Sequence, residues 1–355
     1  MLQKPALYGL INSNRDFSSP YAWGKNQFNS SFPAALACYM RDKNIPAVFL
    51  RHGQNSNTVI SDISFNDFWH TTLPNEKLFF SFESRFTPYA TMTLDDIQPI
   101  DLVVSENDSK RILAPVEVKL TTIPDNTTVN ETEANYGSEL VIRSPTMRYA
   151  AMGMGQSCAS FMTEVKDLFS PACAKIRDWD NIVEVSKHRD NIIKALDIFL
   201  NTYSKYEKPL LMQPLWKTKG KAPVLADNCL DIFVWSDFAL CRLLLGSGNG
   251  DDEKISRPQR ASLRLARFLY ELSTKGKVYQ KPIYDGMTFD NLNDKEFAIS
   301  GKKTNLHMRC DRLTKPIIKK EEIKEIILGD GQKFLSPERR FDAIIYYSNE
   351  LFNEL

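Results

Sequence analysis

Hydrophobic and polar positions alternate in two ways along the chain. Residues 45–51 (IPAVFLR) and 58–63 (TVISDI) are short runs rich in β-branched and aromatic residues, and they predict strands. Residues 100–104 (IDLVV) and 111–120 (RILAPVEVKL) share that character. Between them, residues 105–109 (SENDS) are a cluster of turn formers, so the two runs predict a β-hairpin. Residues 121–145 are polar and rich in Thr and Asn, and predict a long loop. Helical spacing follows over about 146–168 and 181–206, and residues 229–235 (CLDIFVW) predict a strand that runs into an apolar helix ending at Leu245. Residues 246–252 (GSGNGDD) break the pattern as a linker or mobile loop. Beyond the break, helices are expected over 257–273, over Pro316 to Leu328 with Gly329 just past the end, and over 337–352 with Ser336 as N-cap and Pro337 at the first turn. The order predicts an α/β fold, with a body over residues 1–245 and a smaller, mainly helical subdomain over 246–355.

Composition narrows the function classes. With 355 residues and 43% hydrophobic positions, the chain can build a full core without disulfide or metal staples. The formal net charge is +1, so no whole-chain basic field draws in a partner. The charge is uneven, however: residues 1–200 carry 19 Lys and Arg against 23 Asp and Glu, and residues 201–355 carry 26 against 21. That asymmetry fits an acidic centre in the first part and a polyanion-facing surface in the second, or simply solvated faces. The six cysteines form no C-x-x-C pair, which suits a reducing, cytoplasmic compartment and argues against a zinc site. His52, His70, His188 and His307 lie too far apart in sequence for a histidine metal motif. No signal peptide is visible, and the most apolar stretch, Cys229 to Leu245, is interrupted by Asp231, Asp237 and Arg242, so no membrane association is expected. Phe79, Phe80, Phe82 and Phe86 read as core. Gly153 and Gly155 in residues 151–157 (AMGMGQS) lack the Gly-Lys-Ser/Thr that would make a phosphate loop.

The chemistry candidate is the predicted hairpin, where Asp101 on the first strand is followed by Glu117-Val118-Lys119 on the second. Strand side chains alternate between faces, so Glu117 and Lys119 share one face while Val116, Val118 and Leu120 fill the other. Two carboxylates converging at a strand end can hold a hard cation such as Mg²⁺. A lysine beside them can orient or deprotonate a water, and together these are the parts needed for metal-assisted phosphodiester hydrolysis. Pro115 cannot donate to a ladder and implies an edge or a bulge. The acid-x-Lys triplet is a weak signal by itself. Five occur: Asp108/Lys110, Glu117/Lys119, Glu164/Lys166, Asp252/Lys254 and Glu322/Lys324. Glu164 and Glu322 lie in helical segments, where positions i and i+2 face apart. Asp252 lies in the glycine-rich break and Asp108 in the turn, so only Glu117/Lys119 has strand context. A plain ion pair on an exposed sheet face is the alternative reading.

The arrangement I-D-L-V-V … A-P-V-E-V-K resembles the PD-(D/E)xK nuclease core, the fold of most type II restriction endonucleases. Residues 21–40 (YAWGKNQFNSSFPAALACYM), the run from Pro115 to Thr121 and the total length resemble the HindVP-type restriction endonucleases. The resemblance implies a mixed-sheet core and Mg²⁺-dependent cleavage of double-stranded DNA at a short degenerate palindrome, G-R-C-G-Y-C. It makes Asp101 and Glu117 metal ligands and Lys119 the group that positions water. Ile100 separates Pro99 from Asp101, so the literal Pro-Asp pair is missing. Glu83 is the candidate for the further acid that many members of this fold add. A palindrome cut on both strands implies two active sites related by a two-fold, hence a homodimer, and pairing with a cognate DNA methyltransferase. A structure-specific repair or junction nuclease on the same core and a non-catalytic DNA-binding protein are the rival readings.

Residues 257–272 carry a second pattern. At 100° per residue, Arg257, Arg260, Arg264 and Arg267 share a stripe about 80° wide with no interleaved acid, beside an apolar stripe of Ala261, Leu265, Phe268, Leu269 and Leu272. Arginine prefers bidentate partners such as phosphate or guanine, so the stripe is a candidate DNA contact, with surface or subunit salt bridges as the alternative. Lys217, Lys219 and Lys221 form a smaller basic cluster in an expected loop, open to DNA contact or to plain solvation.

Overall fold

The computed structural model describes residues 10, 12–14, 27–52, 58–118, 140–214, 217–219, 222–224, 232–248, 255–289 and 296–299. The strands in chain order are β1 (Ala47–His52), β2 (Thr58–Ile63), β3 (Leu78–Ser84), β4 (Ile100–Glu106), β5 (Ile112–Val118), β6 (Leu140–Arg143), β7 (Pro209–Pro214), β8 (Lys217–Lys219), β9 (Ala222–Val224), β10 (Ile232–Ser236) and β11 (Glu296–Ile299). Seven of them build one mixed sheet in the order β2-β1-β10-β7-β5-β4-β3. The pairs β1/β10 and β5/β7 are parallel and the others antiparallel. Two small ribbons, β6/β11 and β8/β9, stand apart from it.

The helices are α1 (Gln27–Asp42), α2 (Phe65–Phe68), α3 (Ser144–Ser157), α4 (Met162–Cys173), α5 (Ile182–Ser186), α6 (Arg189–Tyr203), α7 (Asp237–Ser247), α8 (Arg257–Lys275) and α9 (Gln280–Asp285). Each face of the sheet is covered. On one, Phe49, Phe80, Leu102, Val104, Val116, Val118 and Val234 pack with Ala34, Leu36 and Met40 of α1 and with Phe65 and Phe68 of α2. On the other, Leu50, Val103, Phe233 and Trp235 pack under the helices from α3 to α9. Burial on both sides explains why β10 reads as a continuous apolar run.

The expected hairpin is present as β4 and β5, joined by a turn in which Lys110 takes a positive φ of 59°. β5 is an interior strand, not an edge. Its parallel ladder to β7 begins at Glu117, beyond Pro115, and the register to β4 slips from Val104/Ala114 to Ser105/Ile112, which leaves Leu113 as an extra residue on β5, two positions before Pro115. The single helices expected over 146–168 and 181–206 are each two, because short turns at Ala159–Phe161 and before Arg189 redirect the chain. α8 begins with a capping box made by Ser256 and Gln259 and ends at Gly276, whose φ is +74°. Its Leu263, Leu265, Phe268, Leu269 and Leu272 lie in one apolar cluster with Phe169 of α4, Phe199 of α6 and Leu244 of α7. Among the described residues the packing therefore has no break at residue 245. The helices expected over 316–328 and 337–352 lie outside the described residues. No helix among the described residues is long and apolar enough to cross a membrane.

Candidate active site

The site is built by register. Leu102 of β4 pairs with Val116 of β5, so one step earlier Asp101 stands opposite Glu117 across the antiparallel ladder. Directly opposed residues of such a pair have Cβ atoms about 4.5–5.5 Å apart. Asp101 Oδ2 accepts a hydrogen bond from the Val118 backbone N–H at 2.7 Å, which ties its side chain to β5 just past Glu117. On its other side Glu117 pairs with Leu211 of β7. The alternation of β5 sends Val116 and Val118 into the α1 core, so Glu117 faces the opposite layer, under α3.

α3 supplies the roof. Glu117 is 5% exposed, and Thr146 Oγ1, itself buried, donates to Glu117 Oε1 at 3.2 Å. One turn further along, the Tyr149 hydroxyl donates to the carbonyls of Gln98, at 2.9 Å, and of Pro99, the two residues that lead into β4. The Tyr149 phenol is pushed up in pKa by burial first, and then by the negative charges of Glu117 and Asp101. Both acids thus act on the same hydroxyl. Two carboxylates side by side and largely out of water repel each other, and a divalent cation that takes oxygen ligands offsets that repulsion. Asp101 and Glu117 are oxygen donors of the type that could hold a hard cation.

The other expected participants are placed differently. Lys119 lies outside the described residues. Glu83 sits opposite Asp101 by register, between the pairs Phe82/Leu102 and Ser84/Ile100, but it is exposed and its backbone is left-handed, with φ +48°. Among the described residues no three His, Cys, Asp or Glu side chains are grouped to hold a metal ion.

Residues 23–352 match the family described as HindVP restriction endonuclease. The chain belongs to the HindVP restriction endonuclease family. The type II restriction enzyme HgiDI of Herpetosiphon aurantiacus is 38% identical over 355 residues, covering 100% of this chain and 99% of that protein. The probable type II restriction enzyme HindVP of Haemophilus influenzae is 39% identical over 351 residues, covering 98% of this chain and 95% of that protein. No solved structure matches.

In this member of the HindVP family the middle of the arginine stripe of α8 does not face solvent. Arg260 and Arg264 are 4% and 7% exposed. Arg264 donates from Nε and Nη2 to the Gly286 carbonyl at 3.2 and 2.6 Å, and Arg260 from Nη1 to the Thr288 carbonyl at 3.4 Å. Arg267 pairs with Glu271 at 2.7 Å and lies over the Trp179 ring. Only Arg257 of the four is exposed. Two of the four arginines expected to meet DNA, Arg260 and Arg264, thus hold the segment after α9 through its backbone carbonyls, which accept from charged donors. The lysine cluster is likewise not a plain loop: Lys217 and Lys219 lie on β8, which pairs with Ala222–Val224, while Lys221 lies outside the described residues.

Three residues of note escaped the sequence reading. Thr146 and Tyr149 carry no local motif, and only the i, i+3 spacing on one helix face hints at a shared role. Asp237 is fully buried at the start of α7, where its Oδ1 accepts from the Lys208 and Phe238 N–H groups at 3.1 and 2.9 Å. Burial pushes its carboxyl up to about 7. Burial also lowers the pKa of Lys208, whose Nζ donates to Gln156 Oε1 at 3.2 Å.

Proposed function

We propose that the chain is a type II restriction endonuclease of the PD-(D/E)xK kind, hydrolysing both strands of duplex DNA at the degenerate palindrome G-R-C-G-Y-C. The observation that carries the reading is the opposition of Asp101 and Glu117 on β4 and β5 under α3. Asp101 and Glu117 would hold Mg²⁺, which when bound lowers the pKa of water and offsets charge on the phosphate. Lys119, two residues along from Glu117, orients the attacking water. Water oxygen bonds to phosphorus, one ester P–O bond breaks, and the products are a phosphate monoester and a hydroxyl. Two such sites, one per subunit of a homodimer, would cut the two strands of the palindrome. A cognate methyltransferase would protect the host site, and both proteins would act in the cytoplasm. The C-terminal part over residues 246–355 would serve DNA contact, dimerisation or both.

The lysine-bearing β8/β9 ribbon is the favoured DNA contact. It is inserted between the end of β7 and the start of β10, and β7 runs parallel to β5, so it leaves the sheet at the end toward which Glu117 lies. The test is digestion of a sequenced plasmid with and without Mg²⁺. Discrete fragments ending at G-R-C-G-Y-C are expected, and Asp101→Asn, Glu117→Gln and Lys119→Ala should each abolish them. Glu164→Gln, on α4, is the control and should cut normally. Normal cutting by Asp101→Asn or Glu117→Gln would overturn the assignment, and cutting confined to branched or damaged DNA would favour the structure-specific rival.

A further inference from the structure

We propose that Thr146 and Tyr149 of α3 are positioning residues that set the two carboxylates in place for metal binding, Thr146 through the Glu117 side chain and Tyr149 through the backbone that carries Asp101. The inference rests on the reading of Asp101 and Glu117 as metal ligands. Glutamate has three side-chain torsions, and an unsecured Glu117 would spread its oxygens over several rotamers. The Thr146 hydroxyl fixes one carboxylate oxygen at 3.2 Å, and Thr146 is itself 2% exposed, so the hydroxyl has little freedom to swing away. Tyr149 acts one strand over. Its hydroxyl lies on the carbonyls of Gln98 and Pro99, and Ile100 and Asp101 follow directly.

Both residues sit on one face of a single 14-residue helix, so the positions of the two carboxylates are tied to one rigid body. Donors that orient metal ligands from behind are worth roughly 10–100-fold in metal affinity or activity. The structure gives that role to two hydroxyls, neither of which needs to touch metal or DNA.

The test separates the hydroxyl from its packing. Thr146→Val keeps the volume and removes the donor, while Thr146→Ser keeps the donor and removes a methyl. Mn²⁺ binding to the full-length protein is measured from the free-ion electron paramagnetic resonance signal, alongside the Mg²⁺ concentration for half-maximal plasmid cleavage and the melting temperature. Thr146→Val should weaken Mn²⁺ binding and raise the Mg²⁺ midpoint by about tenfold. Thr146→Ser should stay within about twofold of the native protein, whatever its small change in melting temperature. Tyr149→Phe should shift both readouts in the direction of Thr146→Val. Equal Mn²⁺ affinity in Thr146→Val and the native protein would overturn the proposal, as would an equal loss in Thr146→Val and Thr146→Ser, which would mean packing alone. Glu117→Gln is run in parallel: if it still cuts, the metal-site reading fails, whereas its inactivity beside an unaffected Thr146→Val overturns the positioning role alone.

Discussion

Arg264→Ala decides between the two roles open to the basic stripe of α8. In the structure the side chain is buried and its fork places two donors on the carbonyl of Gly286. A hydrogen bond from a charged group contributes about 1.5–3 kcal/mol net, and two bonds to one acceptor are not additive, so the pair contributes about 3 kcal/mol. Loss of the packed aliphatic stem adds roughly another 1 kcal/mol. The segment it holds is strained: Met287 and Phe289 are both left-handed, with φ of 56° and 49°, and Asp180 Oδ1 fixes the Met287 N–H at 2.6 Å. Relaxation of that strain after truncation would return part of the loss. Arg264→Ala should therefore cost about 3 kcal/mol in urea unfolding followed by tryptophan fluorescence. Arg264→Lys, which keeps the charge but not the fork, should recover less than half of that. Exposed Arg257→Ala should stay within about 0.5 kcal/mol. If the stripe instead met phosphate, Arg264→Ala would leave stability alone and lower the salt slope of metal-free duplex binding by roughly one unit. That pair of results would refute the clamp.

Two further outcomes follow from charge. Asp237 titrates at about 7 in the fold against 3.8 when free, so the native state holds its proton where the unfolded state does not, and stability falls as pH rises between those values. Asp237→Asn keeps the acceptor for Lys208 and Phe238 and should flatten that fall, by up to about 4 kcal/mol at pH 8; unfolding midpoints at pH 4 to 8 check it, and an unchanged slope sinks it. Replacing Lys217 and Lys219 together by Ala should weaken metal-free binding to cognate and random duplexes alike and lower the salt slope by about two units, with the melting temperature unmoved; an unchanged slope would return the ribbon to solvent.

The placement of Asp101 and Glu117 on β4 and β5 was legible because the pattern that sets it is local. Alternation with period two put Glu117 on the face opposite Val116 and Val118, and a run of turn formers supplied the hairpin. The same logic removed Glu164, which lies on α4. What could not be read was anything set by distant partners. Phe80, Phe82 and Phe86 were legible as core and are buried, whereas Phe79 is only half-buried, and β3, the strand that covers the outer side of β4, was not legible. β7 has Pro at both ends and no alternation, yet it lies at the middle of the sheet and is the strand that makes β5 interior. The arginines of α8 have the helical phase of a surface stripe. Phase locates a polar face but not what lies against it, and the carbonyls of Gly286 and Thr288 come from 22 and 28 residues further along the chain.

The glycines of α3 show how far the acid pair depends on packing elsewhere. Gly153 and Gly155 look like a failed phosphate loop in sequence, and in the fold they let the helix lie close to its neighbours. A Cβ on Gly153 would come within 2.8 Å of Asp237 Oδ2, and one on Gly155 within 2.8 Å of Leu272 Cδ2 and 3.2 Å of Met92 Sδ. Glycine in a helix interior costs about 1 kcal/mol relative to alanine, so these two positions favour close approach over intrinsic helix stability. The approach has a consequence at the other end of the same helix. Thr146 and Tyr149 are short or rigid side chains, and their hydroxyls reach Glu117 and the 98–99 carbonyls only if the helix axis stays near the sheet. A lift of the helix by even an ångström would stretch the 3.2 Å contact of Thr146 beyond hydrogen-bonding range. The depth of α3 is thus set against the buried carboxylate of Asp237 and the side chain of Leu272, and it is felt at the two carboxylates on β4 and β5.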